Sequence, residues 1–383
     1  MVDRAQHGGR PFRVVIVGGG RVGSALALLL KQTAEFEVVV VDPTEPARRR
    51  MEELGLPLAE VDPGNAAQID RLLAEAQAVV AALPSSATPT VAAAARRNGV
   101  HYLDLSDDTA GLEAVRHEAR AAAGCFIPQC GISPGLVSQL VLDLVSRVGG
   151  APEVDVRIGT LPRQPGNRFG YGLTWDVDAL LREYTQPSTA LVAGRRTSLA
   201  ALSELEQLRL GERDYEVFIS GNIPASLCAR LEGRVERLTS RTIRYPGHLD
   251  YMRFLLDDLK LRGRVDLLRN LFLNALPEIV DDRLLISVTA TSSARGSTVE
   301  ERFTREVVSA PIGGRNVSAM RRTAAAHVAA VLDLLRCGVI GEAGLCLQED
   351  IPFSELSQNR FLSWFFESGV AGMDQKIDRS AAS

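Results

Sequence analysis

The sequence predicts an α/β fold, and three observations predict it. Phe12 to Val17 (FRVVIV) is a β-branched run that breaks into Gly18-Gly19-Gly20 and passes straight into a helical pattern. Short apolar runs then alternate with helices of about ten residues through the first 130 or so positions, as a parallel sheet covered on both faces requires. Beyond Gly149-Gly150 apolar segments follow one another in the manner of a mixed or antiparallel sheet. The class is therefore a Rossmann-type doubly wound parallel sheet with an inserted α+β domain, completed by a helix near the C-terminus.

Each element follows from its own pattern. After the first strand, Val22 to Lys31 is a helix; Glu37 to Val41 (EVVVV) precedes a polar helix at Glu45 to Leu54, and Leu58 to Val61 precedes one across Ala66 to Ala76. Ala78 to Leu83 (AVVAAL) leads past Pro84 into an Ala-rich helix at Thr90 to Asn98. Val100 to Leu105 and Cys125 to Pro128 are two further strands, separated by a helix near Leu112 to Ala123. In the second region Val154 to Gly159, Tyr215 to Ser220, Val235 to Tyr245, Leu284 to Thr291 and Glu301 to Ser309 read as strands without intervening helices of regular length. Val317 to Leu335 is a long Ala-rich helix whose composition matches the first region, so it is expected to return there. The expected domains are 12-133 plus 316-352, and 134-315, with polar tails at 1-11 and 370-383.

At 383 residues, two domains are expected. With 43 Lys+Arg against 47 Asp+Glu the net charge is −4, which excludes the basic footprint of nucleic-acid binding. Five scattered cysteines without a CxxC pair fit a reducing compartment, and no His/Cys/Asp cluster has metal-ligand spacing. The first residues lack the apolar core of a secretory signal and no apolar run spans a bilayer, so the expectation is a cytoplasmic protein with no membrane partner.

Gly18-Gly19-Gly20-Arg21-Val22-Gly23 fits G-x-G-x-x-G in its required context, after the first strand and opening a helix. Gly18 serves the tight turn, Gly20 lets backbone approach a pyrophosphate, Gly23 lets helix and strand pack, and the helix start at Arg21 and Val22 offers free N–H groups. Asp42 ends the next strand, 19 residues after Gly23, where a carboxylate can accept the hydroxyls of an adenosine ribose. Its charge opposes a 2′-phosphate, so NAD is expected; Arg48, Arg49 and Arg50 nearby leave NADP open. Asp62 ends the third strand and either approaches the adenine or caps the next helix. Leu83, Pro84 and Ser85 end the fourth strand, Asp104 the fifth, and the stretch from Cys130 through Gly131 and Pro134 to Gly135 follows the sixth, all on the carboxyl edge where such sheets bind ligands. Asp104 reads either as a site residue or as a helix cap.

In the second region Thr242 to His248 (TIRYPGH) brings an arginine, a tyrosine and a histidine to a Pro-Gly turn. Arg244 can hold a carboxylate bidentately, and Tyr245 or His248 can carry a proton; a plain turn with a salt bridge is the alternative. Of the other histidines, His7 and His117 read as surface residues, His101 as a strand start and His327 as packed in its helix.

These motifs resemble the saccharopine dehydrogenase and lysine 6-dehydrogenase family. The resemblance covers nearly the whole chain: GGGRVG at 18–23, CGISPG at 130–135, GTLP at 159–162, GYGLTW at 170–175, RTIRYPGH at 241–248, NVSAM at 316–320 and GVI at 338–340. It implies a discontinuous dinucleotide domain, an inserted substrate and dimerisation domain, a homo-oligomer, and oxidation or reduction at an amine-bearing carbon. Asp42, the compact length, YTQP at 184–187 and SLAALSEL at 198–205 are most similar to lysine 6-dehydrogenase. Saccharopine dehydrogenase and carboxynorspermidine dehydrogenase are the alternatives, and a nucleotide-sensing scaffold is the non-enzymatic one.

The expected ligand is an amino acid or opine-like secondary amine. Its chemistry needs a carboxylate anchor, an acid/base near nitrogen and a dry wall. Arg244 is the expected anchor, His248 or Tyr245 the proton carrier, Tyr171 and Trp175 the walls or else core aromatics, and Asp104 an amine partner. A three-carboxylate substrate would recruit Arg157, Arg163, Arg168, Arg241 and Arg302; lysine would suit an acid such as Asp176 or Asp178.

Overall fold

A computed structural model describes residues 10–62, 65–294, 297–341, 343–367 and 376–378. The described residues of Met1–Gln139, Ala310–Val317 and Arg321–Phe366 form one compact unit, and those of Leu140–Ser309, Ser318–Met320 and Glu367–Ser383 a second. The chain opens with β1 (Phe12–Val17), α1 (Arg21–Leu30), β2 (Phe36–Val41), α2 (Glu45–Leu54), β3 (Leu58–Ala59), α3 (Ala66–Leu73), β4 (Ala78–Ala81) and α4 (Thr88–Asn98). It continues with β5 (His101–Asp104), α5 (Thr109–Ala119), β6 (Cys125–Ile127), α6 (Val137–Val148), β7 (Glu153–Pro162), α7 (Val177–Thr185), β8 (Ser188–Val192) and β9 (Arg195–Leu199). Next come β10 (Glu206–Leu210), β11 (Arg213–Ile219), α8 (Ala225–Leu231), β12 (Arg237–Arg244), α9 (His248–Arg253), α10 (Val265–Ala275), β13 (Asp282–Ala294) and β14 (Ser297–Val308). The last elements are β15 (Ala310–Ile312), β16 (Arg315–Val317), α11 (Ala319–Arg336), β17 (Gly344–Leu345), α12 (Phe353–Ser357), α13 (Ser363–Phe366) and β18 (Lys376–Asp378).

In the first unit seven parallel strands run in the order β17-β6-β5-β4-β1-β2-β3. The order reverses between β1 and β4, and the carboxyl ends on either side of that switch form the crevice where doubly wound sheets hold ligands. Continuous apolar strands are the physical reason: Val15, Val17, Val79, Ala81, Tyr102 and Phe126 are buried in one core with Val91, Ala92 and Ala95 of α4. Helix starts are fixed by side chains: Asn65 accepts from Gln68 N before α3 and Asp108 from Gly111 N before α5. Asn65 and Asp108 thus do the capping that Asp62 and Asp104 were candidates for. Most of α11 is buried, as its Ala-rich sequence allows. β17, a two-residue parallel strand beside β6, was not legible as a strand.

The second unit is built on a mixed sheet in the order β14-β13-β7-β12-β11-β10-β18, with β8 and β9 branching from β12. β12 and β7 are parallel; β13 is antiparallel to both β7 and β14. Two helices correct the expectation that this region lacks regular ones. α7 starts at Asp176, which accepts from Ala179 N at 2.7 Å, a cap the sequence carried. α10 (VDLLRNLFLNA) buries Leu268 and Phe272 on one face and is a regular helix where none was expected. Of the expected tails, 1–9 and most of 370–383 lie outside the described residues, His7 among them; Lys376–Asp378 is a strand paired with β10 rather than a loose end. No helix among the described residues is long and apolar enough to cross a membrane.

Candidate functional site

In the first unit the glycine turn sits at the switch point. Gly18 has φ +112°, and a Cβ there would lie 2.3 Å from the Ala82 carbonyl oxygen; one at Gly23 would lie 2.0 Å from the Gly18 oxygen. These two glycines exist because backbone crosses backbone. Gly20 differs: a Cβ there meets nothing within 4 Å, so it faces open space at the start of α1. Arg21 and Val22, both half-buried, follow it as the first residues of that helix. Asp42, at the end of β2, accepts from Gly19 N at 2.8 Å with Oδ2, and from Thr44 N and Oγ1 at 2.9 and 2.6 Å with Oδ1. Oδ2 keeps a lone pair for a hydroxyl, whereas both of those on Oδ1 are taken by Thr44. Of the three arginines, Arg48 pairs with Glu45 and Glu60, Arg49 with Glu45, and Arg50 donates to the Gly19 oxygen at 3.2 Å. Open space at Gly20, a helix start and an acceptor closing β2 fit a dinucleotide's pyrophosphate and ribose.

Leu83 borders the same turn, its Cδ2 3.3 Å from where a Gly18 Cβ would lie; Pro84 is exposed and Ser85 half-buried. Asp62 is exposed, and its carbonyl accepts from Asn65 N. Gly131 and Pro134 are half-buried in the turn Ile132–Leu136 after β6. Asp104 is a correction. It is fully buried, and its carboxylate accepts from Ser106 N and Oγ, from Gln129 N and from the Tyr102 hydroxyl at 2.6–3.0 Å. Burial pushes its pKa up. It braces the end of β5 against the segment before Cys130, leaving no exposed oxygen for a substrate amine. Cys130 is likewise buried, its thiol accepting from Gln348 Nε2 at 3.1 Å.

In the second unit the RTIRYPGH residues separate onto two faces of β12. Tyr245 stacks on Tyr215 at 5.6 Å, and its hydroxyl donates to the Pro162 carbonyl at 2.8 Å. That role is structural and corrects the expectation of a proton carrier. Arg244 lies on the other face, where its Nε–H donates to the Tyr184 hydroxyl at 2.7 Å. His248 Nδ1–H donates to the Phe169 carbonyl at 3.0 Å, which leaves Nε2 to accept from Tyr184 at 3.1 Å. The result is a buried chain from Arg244 through Tyr184 and His248 to the Phe169 carbonyl. Burial, with the Arg244 charge second, pushes the His248 pKa well down, so the imidazole is neutral. Glu216, opposite Arg244 on β11, accepts from Gly247 N and Leu249 N and fixes the turn into α9. Tyr171 is 1% exposed and Trp175 half-buried, its Nε1 donating to the Tyr171 hydroxyl at 3.2 Å; both belong to the aromatic core around Arg244.

Tyr184, noted only within YTQP at 184–187, and Glu216 were not expected as site residues. A buried tyrosine on a helix face reads as core, and only the fold shows that its hydroxyl joins two motif residues. The candidate arginines fare differently. Arg157 pairs with Asp155 and Glu206, Arg241 with Asp155, Glu204 and Glu206, Arg163 with Asp281, and Arg302 with Glu300; Arg168 is exposed. Asp176 caps α7 and Asp178 pairs with Arg269. Arg244 is 2% exposed, donates to Tyr184 and to the Ile243 carbonyl, and has no carboxylate among the described residues at ion-pair distance.

A sheet of this order, with a glycine turn at its switch point and an acid closing β2, defines a dinucleotide-binding protein. Residues 14–125 match the saccharopine dehydrogenase NADP binding domain and residues 131–369 the saccharopine dehydrogenase C-terminal domain. The chain belongs to the saccharopine dehydrogenase family, and it is an NAD(P)-dependent enzyme acting on a small molecule. The fold is similar to that of apo saccharopine dehydrogenase (L-Glu forming) from Saccharomyces cerevisiae, with TM-score 0.75 and 15% identity over 96% of this chain and 99% of that one. DAP dehydrogenase from C. glutamicum aligns at TM-score 0.47 and 12% identity, over 91% and 96% of the chains. A probable dehydrogenase from Thermotoga maritima aligns at 0.45 and 13%, over 92% and 97%.

Proposed function

We propose that this family member is an NAD-preferring lysine 6-dehydrogenase, oxidising the terminal CH–NH bond of L-lysine. The observation behind the reading is the state of the arginines. A buried cation without an anion is costly unless a ligand supplies one. Arg244 has no carboxylate among the described residues at ion-pair distance, Glu183 and Glu216 acting on its charge only from further off, whereas Arg157, Arg163, Arg241 and Arg302 are paired with the chain's own acids. One buried guanidinium without an ion pair suits a substrate with one carboxylate better than one with three.

A bound nicotinamide would supply the acceptor for the hydride that leaves the amine-bearing carbon. As the C–H bond breaks, the nitrogen lone pair forms the C=N bond of an iminium; water then adds, and nitrogen leaves as ammonium to give the aldehyde. Gly18, Gly20, Gly23 and Asp42 would hold the cofactor, with Gly131 and Pro134 beside it. Arg244 would take the substrate carboxylate, held in register by Tyr184 and, through it, by neutral His248. Because the guanidinium is covered by Tyr171, carboxylate entry requires the Phe169–Trp175 segment to give way.

The test is NADH formation with L-lysine, saccharopine and carboxynorspermidine in parallel. Turnover of L-lysine, with a KM that rises at least tenfold in Arg244→Ala, is expected. Preferential turnover of saccharopine, or an unchanged KM in the variant, overturns the reading.

A further inference from the structure

We infer that Cys125 and Cys346 are a thiol pair that hydrogen peroxide converts to a disulfide, and that this modification weakens cofactor binding from the edge of the nucleotide-binding sheet. The register of β6 and β17 brings the two residues together. Gly344 stands directly opposite Cys125, and the ladder runs on past β17 through Cys346 N, which donates to the Phe126 carbonyl at 2.9 Å. Residues two apart on a strand share a face, so Cys346 lies diagonal to Cys125 on the same side of the sheet. Gly344, between them, has no side chain to keep them apart, and the two thiols are hydrogen-bonded to each other. Gly341 closes the other side: a Cβ there would lie 2.1 Å from the Cys125 sulfur.

The pair is asymmetric in the way oxidation requires. Cys346 is half-buried, within reach of a small oxidant, whereas Cys125 is 1% exposed. The hydrogen bond between them lowers the Cys346 pKa and raises that of Cys125, so Cys346 supplies the thiolate. Its sulfur attacks one peroxide oxygen and the O–O bond breaks; the departing hydroxide takes up the thiol's proton as water and leaves a sulfenic acid. The Cys125 sulfur then attacks the Cys346 sulfur, and its proton leaves with the hydroxyl as a second water. Two thiols lose two electrons and one peroxide gains them.

Bond closure reaches the cofactor side through Gln348. Two residues along and one strand across separate Cα atoms by about 8 Å, wider than the roughly 7 Å that a disulfide spans. The bond must therefore draw β17, a two-residue edge strand, along β6. Gln348, two residues beyond Cys346, is buried, and its Nε2 donates to the Pro128 carbonyl at 2.7 Å and to the Cys130 sulfur at 3.1 Å. Those bonds hold the start of the turn that carries Gly131 and Pro134, so a shift of β17 loosens the segment that would lie beside the nicotinamide.

The test uses the full chain as Cys337→Ser, which removes the exposed cysteine. Millimolar hydrogen peroxide is expected to give a Cys125–Cys346 cross-link in a non-reducing peptide map and to weaken NAD binding at least fivefold by isothermal titration, with dithiothreitol reversing both. Adding Cys346→Ser should leave NAD affinity at the reduced value and abolish the response to peroxide. Adding Cys125→Ala instead should halt the reaction at a Cys346 sulfenic acid that dimedone traps; if that variant unfolds, the cross-link in the parent chain decides alone. A map in which Cys346 stays reduced, in which either thiol takes another partner, or in which the cross-link forms with NAD affinity unchanged overturns the inference.

Discussion

Replacing Tyr184 by Phe removes one oxygen and keeps the ring, so no cavity opens and the loss can be counted in hydrogen bonds. The phenol receives Arg244 Nε–H at 2.7 Å and donates to His248 Nε2 at 3.1 Å. Without it, a charged donor and a neutral acceptor are left buried with no partner. An orphaned buried group costs about 1–3 kcal/mol, and more when charged, so Tyr184→Phe should destabilise the chain by about 3–5 kcal/mol. For a unit of this size that lowers the melting temperature by roughly 10 °C. Tyr245→Phe is the internal control: its hydroxyl gives one strong bond, to the Pro162 carbonyl, so about 1–2 kcal/mol is expected. Calorimetry and urea unfolding measure both. A loss under 1 kcal/mol in Tyr184→Phe, or one no larger than in Tyr245→Phe, refutes the idea of an interior chain in which the phenol joins two buried groups.

Gly20→Ala should fold normally, since its Cβ has open space, yet weaken NAD binding at least tenfold by isothermal titration; Gly23→Ala, whose Cβ would lie 2.0 Å from the Gly18 oxygen, should fail to fold or melt far lower. Asp42→Ser should improve binding of NADP relative to NAD by about 10–100-fold, because a like charge is lost from beside the 2′ position; an unchanged ratio in competition titrations counts against the ribose assignment. The pH dependence has a definite sign. His248 is pushed well down and His327 to about 3, both first by burial, so below about pH 6.5 the unfolded chain binds protons that the native chain does not. Each site then lowers stability by up to about 1.4 kcal/mol per pH unit on acidification. His327→Asn should reduce proton uptake on unfolding by one at pH 5, read from the slope of stability against pH, and an unaltered slope contradicts it.

Much of the first unit was legible because its strands are buried on both faces, so FRVVIV and EVVVV could not be amphipathic helices. The glycine turn was legible because backbone crossing backbone admits no other residue at Gly18 and Gly23. What stayed hidden was decided by three-dimensional neighbours. Two residues, Gly344 and Leu345, cannot announce a strand, and it is their bonds to β6 that make β17 one. Arg244 and Tyr245 are adjacent in sequence but point to opposite faces of a sheet, so a motif that read as one cluster divides into an interior cation and a structural brace. Asp104 read as a site residue because it ends a strand on the functional edge; its side chain turns inward, where four donors saturate it.

The return of α11 has a consequence for biosynthesis. His327 on that helix bonds Gln139 and lies beside Gly135, so the nucleotide-binding sheet waits for a cover translated about 180 residues later. At 5–20 residues per second the ribosome takes roughly 10–40 s to supply it. Through that interval the nascent N-terminal half carries an uncovered apolar flank, and the substrate-side unit must emerge before the first can close. Chains halted before Ala319 should therefore depend on chaperones or aggregate, even though every strand of β1 to β6 has been made.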